Sequence, residues 1–388
     1  MFKILTNPEA KHRLQQTIWP RFTNQIGTFR KVAGAAGSEV PLRVLVVGGG
    51  PVGLAFATSL DVMMGRRAQI AVCDSRWMRR RGRIAWKGVG QGVMRREQVV
   101  TLQSRVLSRL PEAVRTAIFA SGRTSEVWPL GTGSPPALGF PRNVAIRDIE
   151  DGLLDLAQAR GLELLVERFD AAKAEIAGYD LIAICDGPAS RTREHFASVF
   201  GAGDPVPFSV DGRQVEDVVL GLRVKARIPD PDGVLLTVAQ NRFLLNAHLG
   251  EGMLYMRLTP DETQEVRGRP DGAAGFAPCI QSAPCVMASA GRGFRCPTHG
   301  TRFVPAEDPN SFLWPRIREG LRLFDVPLED FSSVTAFRLS MVRRNVFTAE
   351  LTPLGQNRPV FGALVGDAAI GLSFWPGRGM NTGLSGAV

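Results

Sequence analysis

The sequence predicts an α/β fold in which a mixed or parallel sheet with helices is interrupted by an inserted, mainly antiparallel β-sheet domain. Three observations lead to this prediction. A short, Val-rich run at residues 42–47 precedes a glycine-rich turn and a helical segment, as in a strand–turn–helix unit. From about residue 205 the chain changes to alternating or β-rich runs, which indicate an antiparallel sheet. The apolar run at 359–366 then returns to the pattern of a buried strand.

The turn after the first strand has the spacing Gly-x-Gly-x-x-Gly, formed by Gly48, Gly50 and Gly53. In a Rossmann-like fold the first glycine permits the tight turn, the second lets a pyrophosphate approach the backbone, and the third allows close helix packing. Pro51 and Val52 open the helix whose N-terminal amides would receive the anion. The motif predicts a dinucleotide site, but alone it does not separate NAD from FAD, and an ordinary strand-to-helix turn carries similar glycines.

The second predicted strand, residues 69–74, ends in Asp74, which lies 21 positions after Gly53. An acid near this spacing accepts a hydrogen bond from a ribose hydroxyl of the dinucleotide. Ser75 and Arg76 follow directly and begin an arginine-rich stretch. This stretch could contact cofactor phosphates or form a solvated loop. We therefore include Asp74, Ser75 and Arg76 among the cofactor-binding candidates.

Composition limits the classes of function. The 388 residues are 44% apolar and 22% charged, which is typical of a soluble globular protein. No apolar run approaches the roughly 20 residues of a transmembrane helix, and charged residues interrupt any signal sequence, so we expect a cytoplasmic protein. The net charge of +10 is compatible with nucleic-acid binding, but no nucleic-acid-binding motif accompanies it, and we expect none. The five cysteines are an odd number and predict reduced thiols.

Organisation along the chain suggests four parts. We expect an N-terminal arm at 1–41 with helical character near residues 9–18, a nucleotide-binding domain at 42–204, a substrate domain at 205–345, and a returning part of the first domain at 346–388. Helical spacing predicts helices at 51–64, 97–110, 147–160 and 311–324. Gly and Pro residues between 122 and 141 indicate a loop-rich crossing.

Two further motifs follow predicted strands far from the glycine loop. Asp186 and Gly187 come after the apolar run 181–185, and Gly366 and Asp367 come after 359–365. Asp367 at a strand end can accept a hydrogen bond from a ribityl or ribose hydroxyl. The segment after it is Pro376-Gly377-Arg378-Gly379-Met380-Asn381, whose glycines let backbone amides at a helix start approach an electron-rich ring. Such amides would stabilise negative charge that develops on the ring.

The order and spacing of these three motifs resemble those of the group A FAD-dependent monooxygenases, the aromatic-hydroxylase superfamily typified by p-hydroxybenzoate hydroxylase. The resemblance runs from about residue 42 to residue 388. It implies bound FAD, NAD(P)H as co-substrate, and hydroxylation of a small aromatic or otherwise apolar substrate with O2 through a flavin hydroperoxide. It also implies indirect cofactor and NAD(P)H contact by Asp186, and a place beside the isoalloxazine ring for Met380 and Asn381.

Three arginines have counterparts in the superfamily. Arg147 stands where relatives often present Arg or Gln from a helix to the FAD phosphates or ribose, although an exposed charge at a helix start is an equal alternative. Arg95 and Arg96 resemble residues that approach the flavin, especially in the MICAL-type monooxygenase domains. The N-terminal arm is similar to those domains as well.

Substrate is expected between the nucleotide fold and the inserted sheet. Six residues are candidates for an apolar wall there, although strand aromatics more often belong to a core: Phe243, Leu245, Tyr255, Met256, Phe374 and Trp375. No catalytic general base can be named. Alternatives are a flavin-dependent reductase, oxidase or halogenase on the same fold, a MICAL-like protein-modifying oxidase, or a non-catalytic flavin-binding module. The halogenase signature Trp-x-Trp-x-Ile-Pro is absent from the sequence.

Two features depart from the superfamily pattern. The link between residues 166 and 181 leaves little room for the β-meander that many relatives place there. The chain also ends seven residues after Asn381, where relatives usually continue in a long helix. We expect either a piece of a longer protein or a flavin site that is closed differently.

A last motif lies outside this scheme. Cys296-Pro-Thr-His299-Gly300 copies the second half of a Rieske iron–sulfur motif, but the first half is missing. With Cys279 and Cys285 these residues could at best form a Cys₃His zinc site. The sequence favours a turn that carries Cys and His incidentally, and we predict no metal. No Ser/His/Asp triad emerges either.

Overall fold

The computed structural model describes most of the chain from residue 40 onward. The described ranges are 40–93, 95–127, 141–172, 175–205, 208–210, 213–215, 217–225, 242–267, 279–280, 285–291, 293–339, 342–352, 358–371 and 378–388. The predicted N-terminal arm, most of the predicted loop crossing at 122–141, and Phe374, Trp375, Pro376 and Gly377 lie outside these ranges.

Helices and strands are numbered here in chain order. The strands are β1 (Leu42–Val47), β2 (Ala68–Cys73), β3 (Trp77–Arg80), β4 (Arg83–Trp86), β5 (Val99–Leu102), β6 (Thr124–Glu126), β7 (Arg142–Ala145), β8 (Glu163–Leu165), β9 (Leu181–Ile184), β10 (Asp204–Pro205), β11 (Phe208–Val210), β12 (Arg213–Val215), β13 (Asp217–Lys225), β14 (Phe243–His248), β15 (Glu251–Arg257), β16 (Val286–Ala290), β17 (Gly293–Arg295), β18 (Phe331–Leu339), β19 (Val342–Arg343), β20 (Thr348–Glu350) and β21 (Phe361–Leu364). The helices are α1 (Pro51–Met64), α2 (Ser104–Leu107), α3 (Glu112–Ile118), α4 (Ile146–Ala159), α5 (Arg191–His195), α6 (Ala197–Phe200), α7 (Pro260–Arg267), α8 (Leu313–Leu323) and α9 (Arg378–Gly386).

The first large sheet belongs to the part predicted as the nucleotide-binding domain, residues 42–204 with the returning part 346–388, which is called the nucleotide fold below. Its strands lie in the order β20-β21-β9-β1-β2-β8, and all neighbours pair in parallel except β20 with β21. Its central strands are buried on both faces, because α1 and α4 cover one side and a second apolar cluster covers the other. The predicted helix and strand at 51–64 and 181–184 have the expected bounds.

The second large sheet is antiparallel, as predicted for the inserted part. Its order is β14-β15-β13-β18-β16-β17, and every neighbouring pair runs antiparallel. Alternate residues face opposite sides, and one side packs with α8 into a separate apolar core that includes Ile317. The α/β fold with an antiparallel sheet is therefore confirmed.

A small sheet of order β5-β7-β6 joins the two larger units. The side-chain amide of Asn143 on β7 donates to the Ala247 carbonyl at 2.9 Å, and the amide of Asn246 on β14 donates to the Val99 carbonyl at 3.2 Å. Both asparagines are buried, so these hydrogen bonds satisfy polar groups that water does not reach. The contact between the two units is therefore partly polar.

The helix predicted at 97–110 is wrong. Residues 99–102 form β5, which pairs with β7, and only Ser104–Leu107 is α-helical. The run Val99-Val100-Thr101-Leu102 contains three β-branched residues, which favour a strand when a partner strand is present. Among the described residues, no helix is both long and apolar enough to cross a bilayer.

Candidate functional site

The structure brings the three sequence motifs to one edge of the parallel sheet. The glycine loop follows β1, Asp186 follows β9, and Gly366 follows β21, and these strands are adjacent in the order β21-β9-β1. Carboxyl ends of parallel strands are the usual ligand-binding edge of such a sheet. The edge therefore combines residues that are more than 300 positions apart in the chain.

The glycine loop is packed so closely that side chains do not fit. Gly48 has φ +102°, a left-handed conformation, and a Cβ there would lie 2.6 Å from the carbonyl oxygen of Cys185. A Cβ on Gly53 would overlap the carbonyl oxygen of Gly48. These contacts hold the start of α1 against β1 and β9, which leaves the N-terminal amides of α1 at the strand ends.

Val52 packs between the glycine loop and the C-terminal motif, which consists of Gly366-Asp367 and the following helix α9. Its methyl groups would lie 3.0 Å from a Cβ on Gly366 and 2.5 Å from a Cβ on Gly383 of α9. Gly366 has φ +63° and begins the short 3₁₀ turn Gly366–Ala368. The small residues at these positions let α1, the 3₁₀ turn and α9 meet closely, so a change at any of them would move the others.

Hydrogen bonds connect the segment after Asp186-Gly187 with the 3₁₀ turn Gly366–Ala368. Ser190 accepts a hydrogen bond from the Arg193 amide at 3.0 Å and so caps α5. The buried Arg193 guanidinium then donates to the carbonyls of Ala368 at 3.2 Å and Pro188 at 3.0 Å. Asp186 accepts from the Thr192 hydroxyl at 2.9 Å through one carboxylate oxygen. Gly187, at φ +91°, makes the turn between them.

Asp74 is engaged within the protein. One of its oxygens accepts from the Gly49 amide at 2.9 Å, and the Arg76 guanidinium contacts both oxygens, the closest pair at 2.6 Å. The next residue, Ser75, offers its carbonyl to the ammonium group of Lys87 at 2.7 Å. The acid predicted for a ribose hydroxyl therefore also fixes the glycine loop and orients Arg76.

Arg76, which contacts the Asp74 carboxylate, forms an arginine group with Arg95 around the Trp86 ring. The guanidinium carbons of Arg76 and Arg95 lie 5.0 and 4.8 Å from the centre of the Trp86 ring. Glu150 pairs with Arg76 at 3.4 Å and with Arg95 at 3.6 Å. Burial raises the pKa of Glu150, while Arg96, Arg76 and Arg95 oppose that shift. The arrangement offers planar cations suited to phosphate oxygens.

Neither Trp86 nor Glu150 was identified from the sequence. A helical projection would have placed Glu150 one turn after Arg147, and Trp86 ends the hairpin strand β4. Arg147 itself pairs with Glu97 at 2.9 Å and retains an exposed surface. Its side chain therefore contacts an acid on the preceding loop, which agrees with the alternative of an exposed charge at a helix start.

Asp367 lies next to α9, where a Cβ on Gly379 would be 3.6 Å from its carboxylate. Its side chain is exposed by surface area, although nearby protein atoms displace part of its solvent. The resulting desolvation raises the pKa of Asp367, and the positive charge of Arg96 opposes this shift. The positive charge of Arg96 therefore opposes the raised pKa of both Asp367 and Glu150.

The side chain of Asn381 has hydrogen-bond partners within the protein, and its predicted place beside the flavin ring stays a prediction. Its side-chain oxygen accepts from the Gln103 amide at 2.9 Å, and its nitrogen donates to the Thr101 carbonyl at 2.8 Å. The side chain is buried and holds α9 to the end of β5, so its amide is used within the protein. Met380 is half-buried and packs against the core of the nucleotide fold.

Three of the predicted substrate-wall residues are corrected by the structure. Phe243, Leu245 and Met256 point into the core between the antiparallel sheet and α8, where a Cβ on Gly320 would lie 2.6 Å from the Phe243 ring. Tyr255 lies on the opposite face. That face also carries Asn246, which contacts β5, so it is turned towards the nucleotide fold. Because successive side chains of a strand point to opposite faces, the sequence could have shown that Met256 and Tyr255 lie on different faces of the sheet.

The residues at this edge fit a flavin dinucleotide. The glycine loop leaves room where side chains would collide, and the arginine group is cationic. The second oxygen of Asp186 is buried and has no hydrogen-bond partner among the described residues. A buried acceptor of this kind needs a donor, which a hydroxyl or an ordered water molecule would supply.

Comparisons with known proteins support the fold. No protein family model and no curated protein matches the chain. The solved structure of CmlS, a flavin-dependent halogenase, matches over 90% of this chain and 57% of its own, with a TM-score of 0.52 and 14% identity. A 2-methyl-3-hydroxypyridine-5-carboxylic acid oxygenase matches over 89% of this chain and 80% of its own, with a TM-score of 0.44 and 15% identity. The tetracycline destructase Tet(51) matches over 90% and 80%, with a TM-score of 0.42 and 14% identity.

The likeness to the halogenase shows the architecture alone. This chain shares the fold of that structure, and in this chain the fold consists of a mainly parallel sheet joined to an antiparallel sheet. It spans 57% of the halogenase chain and 63% of another matching structure, the Diels-Alderase PyrE3.

Proposed function

We propose that the chain is an FAD-dependent monooxygenase that uses NAD(P)H and O2 to hydroxylate a small, apolar or aromatic organic molecule. The observation that carries this proposal is the convergence of the glycine loop, Asp186 and Gly366-Asp367 at one sheet edge. Contacts of Val52 with Gly366 and of Arg193 with Ala368 hold these motifs in register. A NAD-only Rossmann site requires the first of these motifs but not the other two.

Different residues of the chain would bind different parts of FAD. The α1 amides and the glycine loop would hold the pyrophosphate, and Arg76 and Arg95 would neutralise its charge. Asp74 and Asp367 would accept hydrogen bonds from hydroxyls of the cofactor. The backbone amides near Gly379 would face the redox-active ring. Bound FAD would supply the transfer of electrons from NAD(P)H to O2 and of one oxygen atom to the substrate.

An apolar face of the antiparallel sheet favours a small apolar substrate. Its residues are Val219, Leu244, Met253, Tyr255 and Phe337. Asn246 on the same face contacts Val99 of the small sheet, so this face is turned towards the nucleotide fold. A substrate bound against it would therefore lie on the side of a flavin ring held at the carboxyl ends of the parallel strands. An apolar face excludes water and stabilises an aromatic or aliphatic ligand by burial.

The first experiment identifies the cofactor and the reaction. The purified protein should contain FAD, released on denaturation and recognised by chromatography. NAD(P)H oxidation and O2 uptake should then be measured across a panel of aromatic substrates with product analysis by mass spectrometry. Substrate-stimulated oxidation with one ¹⁸O atom from ¹⁸O2 in the product is the expected result. A protein that cannot be reconstituted with any flavin would contradict the proposal.

A matched pair of variants tests the assigned site. Asp367→Ala should lose most of its FAD, because it removes the acceptor at the end of β21. Asp155→Ala removes an exposed acid that pairs with Arg83 on the surface, and it should keep the wild-type flavin content. Equal occupancy in the two variants would remove Asp367 from the site.

The same assay separates the alternatives. Flavin reduction by NAD(P)H without oxygen incorporation indicates a reductase, and hydrogen peroxide as the sole oxygen product indicates an oxidase. Addition of chloride or bromide tests a halogenase, which the likeness to CmlS brings into consideration. Oxidation stimulated by a protein rather than a small molecule would favour the MICAL-like alternative, and bound FAD without turnover would indicate a flavin-binding module.

A further inference from the structure

Four potential metal ligands meet at the far end of the antiparallel sheet. They are Cys279, Cys285, Cys296 and His299, and their ligand atoms all lie within 4.8 Å of one another. Cys285 directly precedes β16, Cys296 directly follows β17, and His299 lies in the next turn. The sequence favoured an incidental turn for Cys296 and His299, but that interpretation does not predict the approach of Cys279 and Cys285. We propose that these four side chains bind one Zn²⁺ ion as a closed structural site.

The distances match tetrahedral coordination. His299 Nδ1 lies 3.5 Å from the Cys279 Sγ, 3.3 Å from the Cys285 Sγ and 3.6 Å from the Cys296 Sγ. Zinc–sulfur bonds of about 2.3 Å and a zinc–nitrogen bond of about 2.0–2.1 Å, at a tetrahedral angle, place sulfur and nitrogen roughly 3.5 Å apart. The three sulfur–nitrogen spacings therefore agree with a cation at the common centre.

Hydrogen bonding alone does not account for this geometry. One imidazole nitrogen carries either a single proton or a single lone pair, so it can form one good hydrogen bond. Three sulfur atoms at similar distances from the same nitrogen exceed that capacity. All five cysteines of the chain are free in the structure, so no disulfide holds any two of the three together. A shared metal ion satisfies all four ligands at once.

Surrounding groups support the ligands. The Thr301 hydroxyl lies 3.0 Å from the Cys279 Sγ, and the His299 amide lies 3.4 Å from the Cys296 Sγ. Hydrogen bonds of this kind orient ligating sulfur atoms and reduce their charge. Gly300, at φ +67°, lets the turn close, because its amide reaches the Cys296 carbonyl at 3.0 Å.

The position of the site indicates its role. Cys279 and Cys296 belong to the apolar core that also contains Phe294 and Phe303. The four ligands connect the segment at 279–280 with both strands of the β16–β17 hairpin, which forms the edge of the sheet. Four protein ligands leave no open coordination position, which is typical of structural rather than catalytic zinc. The ion would therefore stabilise this edge without taking part in flavin chemistry.

Metal analysis of the wild-type protein provides the first test. Protein purified under reducing conditions without chelator should contain about one zinc per chain, as expected for a Cys₃His site. Exchange with Co²⁺ should give the thiolate charge-transfer and tetrahedral d–d absorptions of cobalt, the latter at longer wavelength than oxidised flavin absorbs. Substoichiometric metal with no cobalt spectrum, or a disulfide between two of these cysteines, would overturn the proposal. Stoichiometric iron would overturn the assignment to zinc.

Variants locate the ion. Cys296→Ser and His299→Ala should lose most of the zinc, whereas Cys73→Ala and His195→Ala should retain it, because neither residue lies at the cluster. Flavin content, measured on the same samples, should be unchanged in folded Cys296→Ser and His299→Ala protein. If the ligand variants do not fold, alkylation of the wild type gives the answer: zinc should protect the three thiols, and a chelator should expose them. Equal alkylation with and without chelator would contradict the site.

Discussion

At the scale of single residues, Gly53 illustrates why the first motif needs glycine. A Cβ there would overlap the Gly48 carbonyl oxygen, and that oxygen belongs to the backbone and cannot rotate away. Gly53→Ala should therefore displace α1 and cost at least about 1–3 kcal/mol of unfolding free energy, as in overpacked cores. The midpoint temperature of thermal unfolding and the flavin content should both be lower than in the wild type.

Gly178 supplies the control for this prediction. A Cβ on Gly178 has no heavy atom within 4 Å, and its backbone is not left-handed. Gly178→Ala should therefore leave thermal stability and flavin content close to wild type. A Gly53→Ala protein as stable and as yellow as this control would show that α1 does not depend on the close contact.

Asp367 gives a dependence on pH. Partial desolvation raises its pKa in the folded protein, so the stability that Asp367 contributes is present below the unfolded pKa and is lost as pH rises through the folded pKa. Asp367→Asn removes this ionisation. In flavin-free protein, the stability of the variant relative to wild type should increase from acidic to neutral pH and then remain constant. Urea denaturation across this range measures it, and a difference independent of pH would contradict the role of ionisation.

At the residue level, the sequence spacing indicated which residues lie together, although their roles in cofactor binding stay predictions. Gly48, Gly53 and Asp74 follow strands in a recognisable spacing, and the structure brings them together. The internal contacts of Asn381 could not be predicted, because its partners, Thr101 and Gln103, lie about 280 positions earlier. No local pattern indicates that such a side chain is used for packing.

At the scale of elements, the buried side-chain amide of Asn381 holds α9 to the small sheet. Asn381→Ala would leave the Gln103 amide and the Thr101 carbonyl without this partner. Because both hydrogen bonds are only partly buried, we expect the loss of each to cost about 0.5–1.5 kcal/mol of unfolding free energy. The loss should appear in flavin-free protein, because both hydrogen bonds are internal. Chemical denaturation of the apo-protein measures it.

The adjacent residue Thr382 is exposed on the same helix and provides the comparison. Thr382→Ala should change the unfolding free energy by less than about 0.5 kcal/mol. If Asn381→Ala instead matched Thr382→Ala in apo-protein and differed only in flavin binding, Asn381 would act on the cofactor, as the sequence suggested.

Elements with one clear periodicity were predicted well, and those with a mixed pattern were not. The helix at 51–64 follows a proline start, and α4 has an apolar stripe. Residues 97–110 combine a β-branched run with helix-compatible spacing, and the pairing of β5 with β7 decides the outcome. The face of a strand was a second difficulty, because Phe243 and Tyr255 are both aromatic but point to opposite sides.

At the scale of the whole molecule, the two units have separate apolar cores and meet at a partly polar contact. The nucleotide fold contains Leu153 of α4, and the antiparallel unit contains Ile317 of α8; both side chains are fully buried. Asn143 and Asn246 bridge the units through backbone carbonyls. Since hydrogen bonds contribute less net stability than burial of a full apolar core, each unit should unfold with its own midpoint.

Calorimetry of two matched variants tests this independence. Leu153→Ala and Ile317→Ala each remove a buried aliphatic side chain and should each cost about 2–5 kcal/mol. Leu153→Ala should lower only the transition that added FAD raises, since ligand binding stabilises the unit that holds the site. Ile317→Ala should lower only the other transition, which is also the one that removal of zinc should lower. A single transition that both variants and both ligands shift together would mean that the two sheets fold as one cooperative unit, with the boundaries near residues 205 and 345 marking topology rather than stability.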